Sequence, residues 1–371
     1  MIYLDNAATS FPKPASVIAD LTFCLKKYCG NPGRSSHVMS LMAADAIYSA
    51  REEVAGLIGV DTPEQIVFTY NATHALNLAI KTMVTERCHI LTSDLEHNSV
   101  IRPLSRLARE VGIEVGEFST LGDVEANIRA AIREDTRGIV SSICSNVTGE
   151  RVDISLLSRI CAEKGIFLII DASQSLGHTS IDLKKTPCDV LCGPGHKGLY
   201  GIQGCGFAYF RDNKRRESFI EGGSGSESIS PLMPELLPEA YEAGTLSTPA
   251  IVSLGSGIRF VKSMGIEAIE RRMSELTDML TDRLSSIKSL TIYGAGSGIL
   301  SFNITGFPSS AVAMELDKHG ICVRAGLHCA PSIHRRLGTI DIGAVRASFS
   351  VFTTQRDIDE LYLALREIGN V

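Results

Sequence analysis

The sequence predicts an α/β fold: a mostly parallel central sheet with helices on both faces, joined to a smaller C-terminal α+β domain. Three observations predict it. From about residue 64 to 210, short apolar runs alternate with amphipathic stretches, the pattern of repeated β and α units. After about residue 250 the pattern turns helix-rich and then mixes in strands, so a second unit follows. At 371 residues the chain is long enough to divide between two cores.

The elements follow in order. The run 65–70 is apolar and β-branched, so it reads as a strand. In 73–84, Ala75, Leu76, Ala79, Ile80 and Met83 fall on one helical face. Strands over 88–91, 113–118, 138–143 and 166–170 alternate with helices over 98–111, 123–133 and 154–164. Strands over 189–192 and 206–210 close the series. Residues 221–239, rich in Gly and Ser and carrying Pro231, Pro234 and Pro238, read as a long loop. Helical periodicity returns over 266–289. Strands are expected at 299–304, 322–324 and 346–352, and a closing helix at 355–368 with Thr353 or Thr354 as its cap. The expected division is a large domain over 15–248 and a small one formed by 1–14 and 249–371.

A net charge of −6 argues against nucleic acid or an anionic membrane as partner. No apolar run approaches the ~20 residues of a membrane span, and no leader is expected. The ten cysteines are scattered and contain no C-x-x-C pair. Cys88, Cys144, Cys161, Cys188 and Cys205 lie in apolar runs and are expected to be buried, which suggests a reducing, cytoplasmic setting.

In open α/β sheets, ligands sit outside the carboxyl ends of the strands. Thr73, His97, Asn146, Asp171, Gln174 and Lys197 each follow such an end. Lys197 lies in the glycine-rich stretch 193–201, and Asp171 ends the apolar run 166–170. A lysine in a tight loop and a carboxylate closing a buried strand are what pyridoxal phosphate requires: an amine for its aldehyde and an anion for its pyridine nitrogen. The helix start at 71–74 is then a phosphate site, and His97 can stack on a flat ring. Each residue has a plainer explanation by itself. Thr73 and His97 could be caps, Asn146 and Gln174 turn residues, and Lys197 a solvated lysine. A second centre is the stretch 324–331, where Cys329 reads as an exposed loop thiol beside His328 and Arg324. Arg346 could grip a carboxylate or form an ion pair. A metal site of Cys322, His328, Cys329 and His334 matches no standard zinc spacing, so no metal is expected.

These residues resemble the cysteine desulfurase/selenocysteine lyase group of class V aminotransferases, which are fold-type I pyridoxal phosphate enzymes. The markers are Tyr3-Leu-Asp-Asn-Ala-Ala-Thr9, Asn71-Ala-Thr73, Glu96-His97-Asn98, Ser145-Asn146 and Asp171-Ala-Ser-Gln174. They continue with Gly195-His-Lys197, Glu242-Ala-Gly-Thr245, Arg324-x-Gly-x-His-Cys329 and Arg346-Ala-Ser348. The Gly-x-His-Cys-Ala thiol loop is similar to the SUF-type, group II branch. The resemblance implies that Lys197 carries the cofactor, Asp171 pairs with its ring nitrogen and His97 stacks on it and assists catalysis. Asn146 and Gln174 would reach the ring oxygen; Ala72, Thr73 and His196 would hold the phosphate. Gly244 and Thr245 would reach the phosphate of a second subunit, which implies a homodimer. Arg346, Asn146, Ala8, Arg324 and His328 would line the substrate site. Cys329 would accept sulfur from L-cysteine as a persulfide, leaving L-alanine, for delivery to a thiol reductant or sulfur-acceptor protein, as in iron–sulfur cluster assembly. One position departs: Pro194 stands where that branch has a phosphate-binding serine. Selenocysteine lyase, another class V aminotransferase or β-lyase, and a metal-binding or sulfur-carrier protein without cofactor are the alternatives.

Overall fold

A computed structural model describes residues 1–33, 36–212, 220–227 and 229–369. The chain opens with β1 (Ile2–Tyr3), α1 (Ala15–Lys27) and α2 (Val38–Leu57). The alternating region comprises β2 (Ile66–Thr69), α3 (Ala72–Met83), β3 (His89–Ser93), α4 (Asn98–Glu110), β4 (Glu114–Phe118), α5 (Val124–Ala131), β5 (Thr136–Ser142), α6 (Ile154–Lys164), β6 (Phe167–Asp171), β7 (Val190–Pro194) and β8 (Gly206–Phe210). The remainder comprises α7 (Thr248–Met264), α8 (Ile266–Leu284), β9 (Leu290–Gly296), β10 (Ile299–Ile304), α9 (Ser309–Lys318), β11 (Ile321–Cys322), β12 (Arg324–Gly326), α10 (Pro331–Arg336), β13 (Ala344–Ser348) and α11 (Gln355–Gly369).

Seven strands form the large sheet in the order β2-β8-β7-β6-β5-β3-β4. All its pairings are parallel except those of β8, which runs antiparallel to both β2 and β7. The connection 195–205 explains the reversal. It holds the lysine loop and no helix, and a parallel return needs a long crossover. Leu76, Ile80 and Leu104 of α3 and α4 cover one face; Val54, Leu157 and Leu254 of α2, α6 and α7 cover the other. A third core, with Leu276, Phe302 and Leu361, lies beneath the antiparallel sheet β12-β13-β10-β9.

Several expectations move. The periodicity over 266–289 covers α8, which stops at Leu284, and then the approach to β9, a strand the pattern does not mark. The expected strand 322–324 is two short strands in different sheets, β11 beside β1 and β12 beside β13. The strand expected at 346–352 is β13, shifted toward the N-terminus. Thr354 caps α11 by exchanging hydrogen bonds with Asp357 at 2.8–3.2 Å. Among the described residues 221–239 no helix or strand forms, and Ser228 lies outside them. Helices α1 and α2 are absent from the sequence reading because both faces carry apolar side chains. In α2, Ala43, Ile47 and Val54 are buried while Val38, Met39, Leu41 and Met42 face outward, so the periodic contrast is flat.

Candidate active site

The carboxyl ends of the parallel strands are level. Ser142, Asp171 and Cys192 are lateral neighbours in β5, β6 and β7, and the loops leaving them rise on one side of the sheet. Asp171 is buried, and its Oδ1 accepts the backbone N–H of Ser173 at 2.9 Å. The lysine loop sits backbone to backbone on the segment after Asp171. Gly177 has φ +89°, and a Cβ there would lie 2.0 Å from Gly198 O. A Cβ on Gly198 would lie 2.2 Å from Leu176 O. Only glycine permits that approach, which sets the height of Lys197 relative to Asp171. Ser10 N–H, Ser10 Oγ, Thr9 Oγ1 and Lys13 Nζ all donate to His196 O, at 3.0–3.2 Å, strapping the N-terminal segment over the same loop.

Helix α3 starts at this edge. Asn71, rather than Thr73, is its cap, accepting His74 N–H at 2.9 Å. Among the described hydrogen bonds the N–H groups of Ala72 and Thr73 have no acceptor, leaving a positive helix end for an anion. Thr73 Oγ1 meets Ser99 Oγ at 2.8 Å. His97 caps α4: Nδ1 accepts Ser99 N–H at 3.1 Å. Among the described hydrogen bonds, these capping contacts use Nδ1 alone. Burial, with Lys197 and Arg324 adding to it and Asp171 opposing, pushes the His97 imidazole down to about 4, so it is neutral at pH 7. Burial likewise lowers the Lys197 amine to about 8, against the pull of Asp171. His196, pushed to about 4 by burial and then by Lys197 and Lys13, keeps a buried Nδ1 with no partner.

Cys329 is exposed at the tip of a tight turn. Ala330 N–H donates to Leu327 O at 2.9 Å, and His328 and Cys329 between them have φ +49° and +58°. Two consecutive left-handed residues with side chains define a type I′ turn that normally calls for Asn-Gly. Each costs about 1–2 kcal/mol relative to an ordinary conformation. Two hydrogen bonds hold it in place. Asn98 N–H donates to Cys329 O at 2.7 Å, and Asn146 Nδ2 donates to His328 O at 2.8 Å. The thiol is thereby tied to the residue following His97.

The remaining expectations divide. Gln174 Nε2 donates to Ala7 O at 2.9 Å and Ala7 N–H to Ser348 Oγ at 2.9 Å, fixing the turn that holds Ala8. Arg346 is buried, not a surface group: Nη2 pairs with Asp5 at 2.8 Å, Nη1 donates to Asn146 O at 2.8 Å, and Nε is unpartnered. Arg324 is exposed, and among the described ion pairs it has none. His328, expected among the substrate-lining residues, turns its ring inward. Its ring is buried, with Nε2 near Ala344 O at 3.1 Å and the His334 ring tilted 37° to it with centroids 5.7 Å apart, because the left-handed turn points Cys329 out and its neighbour in. Gly244 and Thr245 are exposed and do not line the cavity that Lys197 lines; they stand at a cleft whose floor includes the buried Arg51 and Glu242. The five cysteines expected to be buried are buried.

The sequence reading gives no role to Glu96, Asp5 or Ser99, although Asp5 and Glu96 stand inside quoted motifs. Glu96 is wholly buried beside Asp171, with Oε1 on Ser93 Oγ and Ser142 N–H and Oε2 on Ser142 Oγ. Burial holds its carboxyl up to about 7. A free helix end, an orphaned imidazole nitrogen, a low-lying amine and a buried carboxylate fit a group with an anionic phosphate, an aldehyde and a basic ring nitrogen.

The class-V aminotransferase family pattern matches residues 2–361. A probable cysteine desulfurase of Methanothermobacter thermautotrophicus is 34% identical over 382 residues, covering 100% of this chain and 95% of that protein. The cysteine desulfurase of Pectobacterium atrosepticum is 30% identical over 383 residues, covering 99% and 93%. Among solved structures, the apo cysteine desulfurase from Thermococcus onnurineus is 30% identical with a TM-score of 0.91, covering 100% of this chain and 94% of that one. Sequence pattern, full-length relatives and fold agree: the chain belongs to the class-V aminotransferase family, with its fold-type I architecture.

Proposed function

We propose that this protein is a pyridoxal phosphate-dependent cysteine desulfurase that takes sulfur from L-cysteine, releases L-alanine and leaves a persulfide on Cys329. The observation that carries the reading is the exposed Cys329 thiol, held on a strained turn by Asn98 and Asn146 beside the His97–Asp171–Lys197 cluster. The relatives named above support it.

When bound, the cofactor supplies an electron sink for the substrate's Cα carbanion. Lys197 Nζ, with a raised fraction of free base near neutral pH, would hold the cofactor through its aldehyde and would be the base within reach of the substrate's Cα proton. Asp171 would pair with the ring nitrogen, and neutral His97 would lie against the ring. The Ala72 and Thr73 N–H groups and His196 would hold the phosphate, without the hydroxyl that Pro194 replaces. Gln174 and Asn146, through their bonds to Ala7 O and His328 O, position the surrounding segments and would also reach the ring oxygen. Arg346 and Arg324 hold the substrate carboxylate beside Ala8. Cys329 thiolate attacks the substrate sulfur and the Cβ–S bond breaks. Its electron pair stays on Cβ, which is protonated to give alanine, and the sulfur remains on Cys329 as a persulfide. A thiol reductant or an acceptor protein thiol then removes it.

A homodimer fits the outward apolar side chains of α1 and α2, among them Ile18, Phe23, Leu25, Val38 and Leu41, and the exposed Gly244–Thr245 loop. Sedimentation tests it, a monomer at micromolar concentration being the contrary result. Among the described residues no helix is long and apolar enough to cross a membrane, and the cysteines are free thiols, which supports a cytoplasmic setting. The functional test is Cys329→Ala. This variant is expected to keep the cofactor's absorbance and lose sulfide release from L-cysteine. Full cysteine activity without the thiol would overturn the desulfurase reading, and activity retained on L-selenocysteine alone would point to a lyase.

A further inference from the structure

We propose that Arg336 is a positioning residue for sulfur abstraction: it clamps the thiol-bearing turn to the two sheet loops that carry His97 and Asn146. The inference rests on the desulfurase reading. The turn 327–330 belongs in sequence to the C-terminal region, yet its last residue and the helix after it are built into the large sheet's core. Ala330 and, in α10, Ile333 are fully buried there. At the end of α10, Arg336 reaches across. Its Nη1 donates to Asp94 Oδ2 at 3.0 Å and to Thr120 Oγ1 at 2.5 Å, and its Nη2 pairs with Glu150. Thr120 Oγ1 also lies 2.8 Å from Asp94 Oδ1 and 2.7 Å from Glu150 Oε1, and its one proton serves one of the two carboxylates at a time. The Arg336 and Asp94 side chains are 14% and 9% exposed and that of Glu150 28%, so the cluster is largely shielded from water on its Asp94 side and partly open at Glu150.

The placement of the two carboxylates is what matters. Asp94 lies between the end of β3 and His97, and Glu150 closes the loop that begins at Asn146, Ser145 N–H donating to Glu150 O at 2.8 Å. One guanidinium therefore joins the thiol segment to the loops of the ring-covering histidine and of the amide that holds His328 O. Without it, Asp94 and Glu150 face each other through a single hydroxyl and repel. A turn with two left-handed side-chain-bearing residues persists only when its surroundings over-determine it. Arg336 touches neither the thiol nor the Lys197 cluster, so its loss acts through placement of Cys329.

The test uses the full-length holoenzyme and its Arg336→Gln and Arg336→Lys variants. L-Cysteine needs the Cys329 nucleophile, whereas L-cysteine sulfinate loses its sulfur as sulfite without one. Arg336→Gln is expected to lower kcat for L-cysteine about 10- to 100-fold with little change in KM, to leave sulfinate turnover within about twofold, and to regain part of the loss as Arg336→Lys. The Asn98 amide, bonded to Cys329 O, is expected to exchange with deuterium about tenfold faster in Arg336→Gln. Equal losses on both substrates, unchanged L-cysteine turnover, or unchanged Asn98 exchange each overturn the proposal. A wild-type enzyme inactive on L-cysteine would instead sink the desulfurase reading, and Asn98 exchange would still decide the clamp.

Discussion

The titration of Lys197 offers a quantitative check on the site. Burial, aided by Arg346 and Arg324 and opposed by Asp171 and Asp5, lowers its amine from 10.5 to about 8. At pH 7 roughly one amine in ten is then neutral, against roughly one in three thousand for an ordinary lysine, an advantage of about 300-fold in reactive base. Competitive acylation of the cofactor-free protein across pH 6–11, with a free lysine derivative as standard and peptide mass spectrometry as readout, measures the midpoint directly. The neighbours act with opposite signs. Arg324→Gln is expected to move the midpoint upward, and Asp171→Asn to move it further down. A midpoint within about half a unit of 10.5, or both substitutions moving it the same way, would refute the burial-and-neighbour argument.

Other outcomes follow from single contacts. Arg51 and Glu242 form a buried two-point pair at 2.9 Å, with Phe68 N–H donating to Glu242 Oε1 at 2.6 Å and the guanidinium 4.6 Å from the Phe68 ring. Glu242→Ala strands a buried cation and is expected to cost about 3–5 kcal/mol in chemical denaturation, while Arg51→Met with Glu242→Leu restores most of it. Gly177→Ala puts a side chain on a left-handed backbone and a methyl against Gly198 O. It is expected to cost upward of about 1–2 kcal/mol and to weaken cofactor retention, measured by dialysis and absorbance. For Glu96, whose carboxyl is raised from 4.5 to about 7, the folded state holds its proton longer than the unfolded chain. Stability is thus full below about pH 4.5 and falls by up to about 3 kcal/mol as pH rises through 7. Glu96→Gln is expected to remove that slope from urea midpoints measured between pH 5 and 8; an unchanged slope would contradict it.

Much of the site was legible because its signals are local. An apolar run that ends in Asp171, a lysine set among glycines, and a helix opening at Asn71 are each visible within about ten residues, and the parallel-sheet rule places them on one edge. The motif order extended that reading to Cys329 and Arg346. Helices α1 and α2 stayed hidden because burial on one face and an apolar outer face leave no contrast to detect. The reversal of β8 could not be read from an apolar run, which has no direction.

What the sequence determined by itself was the chemistry available: which amine, thiol, carboxylate and imidazole the chain can bring to a sheet edge, and in what order. Only the folded chain decided which of them face the cavity. His328 and Cys329 are adjacent and alike in promise, yet two left-handed dihedrals send one ring into the core and one thiol outward. Arg346 and Asp5 are joined across nearly the whole chain, and Asn98 is joined to the thiol loop across much of it. Such pairings depend on positions in space, and no periodicity along the chain encodes them, because the loop-closing contacts that create them form between elements rather than within one.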